Sequence, residues 1–431
     1  AILYSNRDRA VALTEQAVEM ARRSGSPGAL TYAVTSRHFT SGPDDVDGRL
    51  ASASELISGA SAPNSDTALE GRFWRIHSLL EIGNRAEADT ELAIFAEGAG
   101  DLGQPRYLYF AALFRTMLAL LEGRFEEAEG LAEEALSLGR RWSPETALTA
   151  YGGHMFVLRA QQGRLRELED PWKSLVRQYP SLAGLRTALA YLHCQHDQQE
   201  EARAIFEHEA SNDFAHLPRN LHWLSDVATL ADVCSSLGDR RRAATLYDLL
   251  LPYAGRNALA GAGGTLYGPV PHCLGLLTGT MSRWDEAVKH FEDALGMEAR
   301  MGARAHVPYT QHQLATVLAV RGNPGDRERA LDLLAQAVQT TEKLSMTNLR
   351  NRLAVLEGEI GDPASRGVGV VSDFGGLEGT EASPVVSSSP PDRGSPVRAG
   401  VFRREGDYWT IAYEEAVFRL KDSVGLRYLA E

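Results

Sequence analysis

One turn motif recurs along this chain at nearly even spacing. Its clearest copies are GNRAEA at 83–88, GRFEEA at 123–128, GDRRRA at 238–243 and SRWDEA at 282–287, each between two helical patterns. When five looser copies are included, the last residue of the motif recurs about every forty residues. The resulting nine positions are Ala10, Ala51, Ala88, Ala128, Leu168, Ala202, Ala243, Ala287 and Ala330. We therefore predict an all-α fold, a solenoid of about nine helix pairs.

The residues of the turn explain why one helix ends there and another begins. Gly83, Gly123, Gly163 and Gly238 lie where the first helix of a pair needs a left-handed C-terminal residue. Asn, Asp or acidic residues follow and favour the start of the next helix. Because each repeat packs mainly on its neighbours, a stack of this kind can reach 431 residues without one central core.

The second helix of each predicted pair carries a small anchor, with further apolar residues four and seven positions later on the same face. In the copy at 282–287, Trp284, Ala287, Phe291, Ala294 and Leu295 resemble the second-helix signature of the tetratricopeptide repeat. The resemblance implies a right-handed superhelix whose first helices line an inner, concave groove. The period exceeds the roughly 34 residues of the standard repeat, so helices or connections are longer. A helical bundle is the alternative, but it does not predict an evenly spaced turn.

The chain changes character after this helical region, which we assign to residues 1–357. Residues 358–400 are dominated by Gly, Ser and Pro, and this composition predicts a flexible linker. Residues 401–431 recover order-promoting side chains and predict two strands followed by a helix, with Ser423 as its cap. Such a segment resembles the start of a winged-helix effector domain. The alternative is a small strand pair that packs back on the solenoid.

Three segments together resemble the C-terminal half of actinobacterial multidomain regulators. These are the long repeats with LLPYAGRNAL at 250–259, the linker, and the end of the chain, FRREGDYWTIAYE with KDSVGLRYLAE. Each of these regulators combines an AAA-type ATPase with a helical arm. The regulators are LuxR-like or cyclase-associated. The resemblance implies a non-catalytic sensor or scaffold arm that binds a protein or small effector. The alternatives are the regulatory tail of an adenylate or guanylate cyclase and a free-standing adaptor.

Charge and cysteine usage restrict the partners and the compartment. A net charge of −13 without a Lys/Arg cluster argues against direct nucleic-acid binding. The odd number of scattered cysteines, Cys194, Cys234 and Cys273, favours reduced thiols in the cytoplasm. No run of residues is long and apolar enough to predict a membrane span. Both ends read as cuts from a longer protein.

The sequence contains no recognisable catalytic motif. No Gly is followed directly by Lys, so a phosphate-binding P-loop is absent. The Gly-rich run GAGG at 261–264 follows no plausible strand, and we interpret it as a loop between helix pairs within the longest repeat interval. His193, Cys194 and His196 could reach one metal ion from a helix, but their positions favour ordinary packed residues. We therefore predict no catalytic residue, no metal site and no cofactor.

The predicted concave groove is the remaining candidate for a recognition surface. Polar and aromatic residues on the first helices would line it, and each has the alternative of being a packed or solvated residue. The candidates for partner binding are Arg115, His154, Trp223, His272 and His312.

Overall fold

The computed structural model describes residues 7–180, 182–261, 263–361, 401–405, 408–413 and 416–421. The chain divides into two units, Ala1–Leu377 and Glu378–Glu431. Across the described ranges, we find no helix with both the length and the apolar character needed to cross a membrane.

Eighteen α-helices and two short strands form the described part of the first unit, which confirms the predicted all-α class. The helices are α1 (Arg7–Ser24), α2 (Pro27–Thr40), α3 (Val46–Ser58), α4 (Asp66–Glu81), α5 (Arg85–Leu102), α6 (Pro105–Glu122), α7 (Phe125–Arg140), α8 (Pro144–Gln161), α9 (Glu169–Gln178), α10 (Ala183–Gln195), α11 (Gln199–Glu209), α12 (Trp223–Leu237), α13 (Arg240–Leu250), α14 (Val270–Thr280), α15 (Trp284–Met301), α16 (Val307–Arg321), α17 (Asp326–Lys343) and α18 (Thr347–Gly361). The strands are β1 (Asn257–Ala260) and β2 (Thr265–Pro269).

The recurring turn ends its helix as the glycines predict. Gly123 has a φ of +79°, its N–H donates to Leu120 O at 3.2 Å, and Arg124 N–H donates to Ala119 O at 2.9 Å. This pair of bonds satisfies carbonyls that the helix end would otherwise leave without partners. Ser282 takes the same left-handed backbone, with a φ of +59°, although it is not glycine.

The second helices pack through their small anchors. Ala287, Phe291 and Ala294 are fully buried, and Phe291 lies against α14 where Gly275 leaves room for its ring. One predicted anchor is wrong, since Ala51 is exposed. The cap of α3 is Asp45, so the motif copy at 46–51 lies inside the helix and its anchor faces outward.

The helical array of the first unit also makes contacts between repeats that are distant in sequence. Arg85 donates to Met301 O at 3.0 Å, and Ala305 N–H donates to Leu121 O at 3.1 Å. One apolar cluster joins residues of α6–α8 to residues of α14–α18. The array therefore closes on itself instead of extending as a rod in which each repeat contacts only its neighbours.

Strands β1 and β2 form an antiparallel hairpin that the sequence does not predict. Its strands contact α4, α6, α8, α12, α14 and α15. The interpretation of 261–264 as a connecting loop holds, because the run joins β1 to β2, but the expectation that it follows no strand is wrong. We call residues 257–269 the hairpin.

In the second unit, the described residues form a three-stranded antiparallel sheet with the order β3-β4-β5. The strands are β3 (Val401–Glu405), β4 (Tyr408–Tyr413) and β5 (Ala416–Lys421). Two strands predicted from the sequence are thus present, together with an additional strand before them. The helix predicted from Ser423 lies outside the described residues. The predicted linker overlaps α18 at 358–361, and its remainder, 362–400, also lies outside them.

Candidate ligand-binding cavity

Two histidines on the first helices hold the tip of the hairpin. His77 Nε2, on α4, lies 3.1 Å from Gly261 O. His154 Nε2, on α8, hydrogen-bonds Gly264 O. A carbonyl oxygen only accepts, so each Nε2 carries the proton. The two imidazoles therefore fix the hairpin through its backbone.

Burial keeps both of these histidines neutral. It lowers the pKa of His77 to about 3, and the nearby Arg49 cation acts in the same direction. It also lowers the pKa of His154 to about 4. The Nδ1 atom of each ring is buried without a hydrogen-bond partner among the described residues. Protonation at acid pH would thus place charges in an environment that does not stabilise them.

A cavity of about 140 Å³ lies between the hairpin and helices α8, α10, α12, α14, α15 and α16; we call it the central cavity. For scale, an apolar cavity of about 150 Å³ is large enough to hold benzene. Apolar side chains such as Phe156 form part of its wall. Its polar lining comprises Gln161, Tyr191, Thr229, Asp232, Tyr267, His272, Glu298, His306, Tyr309 and Thr310.

The hairpin contributes to the cavity wall through an irregularity in its register. Ala258 pairs with Gly268 and Leu259 pairs with Leu266, so Tyr267 is an extra residue in β2. Such a bulge re-aims the side chain of the inserted residue. Tyr267 lines the central cavity.

A short chain of hydrogen bonds crosses three helices at one wall of the cavity. Thr310 Oγ1 donates to Glu298 Oε1 at 2.6 Å, and His272 Nδ1 lies 2.8 Å from the same hydroxyl. Because the hydroxyl gives its proton to Glu298, His272 must donate through Nδ1–H. Its Nε2 is then an acceptor. The chain links α14, α15 and α16.

Glu298 and Asp232 place two acidic groups at this cavity. Glu298 is 1% exposed, and its Oε2 has no hydrogen-bond partner among the described residues. Burial raises the pKa of Glu298 to about 8 and the pKa of Asp232 to about 7. The lining contains no Lys or Arg within the described part of the chain. Near pH 7, Glu298 is therefore mostly neutral and Asp232 is about half protonated.

A larger, open cleft of about 610 Å³ adjoins the central cavity, and we call it the outer cleft. Ala160, Tyr191 and Tyr309 line both. The charged side chains of the outer cleft are mostly basic, with Arg164, Arg166 and Arg352 present against the single carboxylate of Glu167. The two carboxyl groups of the central cavity thus lie beside an outer cleft that is lined by basic side chains.

The five residues predicted from the sequence do not form one surface. His272 lines the central cavity and His154 contacts the hairpin, whereas Arg115 is exposed on α6. Trp223 is 2% exposed beneath Arg219, whose guanidinium carbon lies 4.1 Å from the Trp223 ring centroid. His312 is buried in α16. Of these five residues, the structure therefore brings only His272 into the cavity wall and places His154 against the hairpin.

The predicted alternative of a packed cluster fits the residues considered for metal binding. His193 Nδ1 hydrogen-bonds Gln198 Oε1, and Cys194 is buried. Burial raises the pKa of the Cys194 thiol to about 11. A thiol in this state is a poor metal ligand, because the thiolate is the binding form.

Sequence reasoning missed the most informative residues of the cavity. Asp232 and Glu298 are single acids within helices, and nothing in their local sequence separates them from acids on a solvated face. Tyr267 belongs to a hairpin whose strands were not predicted. The one signal in the sequence is that 261–264 lies within the longest repeat interval.

Comparison with known proteins adds no functional assignment. No family model matches the chain, and no curated protein sequence matches it significantly.

Proposed function

We propose that the helical unit is a non-catalytic, ligand-binding sensor arm of a larger signalling or transcriptional regulator. The observation that carries this proposal is the central cavity, a space between the hairpin and six helices whose wall includes a buried carboxyl oxygen, Glu298 Oε2, without a described partner. Concave pockets with a few convergent polar groups are the usual sites of small ligands.

The energetics of burial favour a ligand over a purely structural role. A buried polar atom without a partner costs about 1–3 kcal/mol. Native proteins seldom retain such atoms unless water, an ion or a ligand satisfies them. Besides Glu298, His306 Nδ1 is buried without a described partner at the same cavity. A ligand with complementary groups would remove both costs at once.

The position of the hairpin favours a small effector on the inner face. His77 and His154 hold the hairpin tip there, and its strands contact six helices. A protein segment would have to displace these contacts, whereas a small molecule fits behind them. We infer that a partner protein, if one binds this unit, uses another face.

The walls of the cavity supply a route by which binding could be sensed. His272, Glu298 and Thr310 already connect α14, α15 and α16 by hydrogen bonds. A ligand that bonds to these side chains in one arrangement of the helices would favour that arrangement over others. The apolar cluster that joins α14–α18 to α6–α8 would carry the shift across the unit.

A ligand screen that covers several chemical classes tests the proposal. We would measure thermal unfolding of the full chain with a panel of cationic, anionic, zwitterionic and neutral metabolites. At least one class should raise Tm, as any ligand selective for the folded state does. Ala160→Phe, which places a ring where the central cavity meets the outer cleft, should abolish the shift. Thr149→Phe, at an exposed position of the same helix, should retain it.

Two outcomes contradict the sensor role. The first is a panel in which no class changes Tm. The second is a shift of equal size in Ala160→Phe and Thr149→Phe, because the ligand would then bind elsewhere.

A further inference from the structure

The two carboxyl groups of the central cavity have no cation to pair with. Glu298 receives one hydrogen bond, from Thr310, and Asp232 receives none from any described residue. No Lys or Arg lines the cavity in the described part of the chain. A positively charged ligand would supply the missing partner, because charge-assisted hydrogen bonds to a carboxylate are strong in a site of low dielectric.

Aromatic rings around the acids strengthen the case for a cation. Tyr191, Tyr267 and Tyr309 enter the cavity from α10, β2 and α16, and Phe156 enters from α8. The faces of such rings attract an ammonium group within about 6 Å. Acids and aromatic rings are the two groups that stabilise a buried organic cation, and the cavity contains both.

The volume of the cavity limits how much of the ligand it holds. About 140 Å³ accommodates an ammonium group with a few carbon atoms. A longer ligand would continue past Ala160, Tyr191 and Tyr309 into the outer cleft. Its far end would then meet basic side chains.

The outer cleft is suited to a group of the opposite charge. Arg166 is exposed there, and Arg352 interacts electrostatically with Tyr191 and Tyr309 at the boundary between the two spaces. Arg164 is paired with Glu167 at 2.7 Å. Arginine recognises carboxylate and phosphate groups through its fixed fork of N–H donors.

We propose that the helical unit binds a small zwitterion, with its primary ammonium group at Asp232 and Glu298 and its anionic group at Arg166 and Arg352. This inference rests on the proposed sensor function and names the chemical class of its effector. The shared chemistry is an amine separated from an anion by a short carbon chain.

Binding of such a ligand is coupled to proton release. Near neutral pH, Glu298 is mostly protonated and Asp232 is about half protonated, and an ammonium group favours the ionised form of each. The titratable groups that face them, all neutral at this pH, are Tyr191, Cys194, Tyr267, His272, Cys273, His306 and Tyr309. Burial lowers the pKa of each of these histidines to about 4, so neither takes up the released proton.

Calorimetry of the full chain with three probes of equal carbon-chain length tests the inference. The probes are δ-aminovalerate, cadaverine and glutarate. We expect δ-aminovalerate to bind at least about tenfold more tightly than glutarate, with net proton release when buffers of different ionisation enthalpy are compared. Arg166→Gln should weaken the binding of δ-aminovalerate by about threefold or more and should not weaken that of cadaverine, whose second ammonium group this arginine repels.

Amide variants identify the carboxyl groups that act. Asp232→Asn and Glu298→Gln should each weaken the binding of δ-aminovalerate by about tenfold or more. Each amide preserves the shape of the neutral acid. Asp226→Asn is the matched control, because Asp226 is a buried acid on α12 whose pKa is also raised, to about 8, and which lies outside the cavity lining. It should bind like the unmodified chain.

The possible failures are distinguishable. If neutral or anionic metabolites stabilise the chain through the cavity and no amine does, the sensor function stands and the zwitterion inference is overturned. Tight binding of glutarate, or equal weakening by Asp226→Asn and Asp232→Asn, overturns it as well. If no metabolite of any class binds, the proposed function itself fails.

Discussion

His154 Nε2 on α8 hydrogen-bonds the carbonyl oxygen of Gly264, a residue 110 positions later in the chain. This contact fixes the hairpin tip against the first helices. Together with the bond from His77 to Gly261, it holds the hairpin whose strands form part of the wall of the central cavity.

Replacing the histidine should loosen the hairpin. His154→Phe keeps a ring but leaves Gly264 O without its donor. We expect the free energy of unfolding to fall by an amount toward the lower end of about 1–3 kcal/mol. The loss is limited because phenylalanine also removes the partnerless Nδ1. Urea unfolding measures the change. His208→Phe, at an exposed position, should stay within about 0.5 kcal/mol, and equal effects of the two variants would refute the role of this contact.

The same histidines predict how stability responds to acid. Their pKa values in the folded chain, about 3 for His77 and about 4 for His154, lie below the ordinary value of 6.5. The unfolded chain therefore binds protons first, and the free energy of unfolding falls as pH drops from about 6.5 toward about 3. His77→Phe with His154→Phe should make this dependence shallower in urea titrations. An unchanged slope would show that other groups are responsible.

Glu298 predicts the opposite dependence on the alkaline side. Its pKa in the folded chain, about 8, lies above the ordinary value of 4.5. The folded chain therefore holds this proton more tightly, and Glu298 lowers the free energy of unfolding as pH rises from about 4.5 to about 8. Glu298→Gln should remove that contribution and be more stable than the unmodified chain near pH 8. A variant that is less stable there would contradict the assignment.

Two helical glycines test how closely the helix pairs pack. A Cβ at Gly275 would lie 2.6 Å from the ring of Phe291, so Gly275→Ala should destabilise the unit by about 1–3 kcal/mol. Gly130, exposed on α7, has no heavy atom within 4 Å of such a Cβ. Gly130→Ala should stabilise by about 0.5–1 kcal/mol through helix propensity. Thermal unfolding of both variants checks the contrast, and a tolerated Gly275→Ala would contradict the close approach.

The helix pairs could be predicted because their determinants are local. Gly123 needs only its own left-handed backbone to end a helix, and the spacing of Ala287, Phe291 and Ala294 defines one face of the next. These signals lie within about two helical turns. Ala51 shows the limit of the pattern, since the cap at Asp45 shifted the helix start and turned that alanine outward.

The cavity could not be predicted because its determinants are distant in sequence. Strand β1 is NALA, a run of residues with little strand preference, and it is placed by contacts with helices far along the chain. His154 is buried against the hairpin, where the repeat pattern predicted that it lines an open groove. Asp232 and Glu298 become informative only when six helices and the hairpin bring them to one space.

Hydrogen exchange of the hairpin amides tests most directly whether the hairpin is docked against the helices that surround the central cavity. If the hairpin is docked, peptides covering 257–260 and 265–269 should exchange nearly as slowly as those from α12 and α14, because they open only with the core. His154→Phe should accelerate their exchange while α12 stays protected. Exchange of these amides at the rate of an unprotected loop in the unmodified chain would contradict the docked hairpin, and with it the central cavity and the sensor function that depends on it.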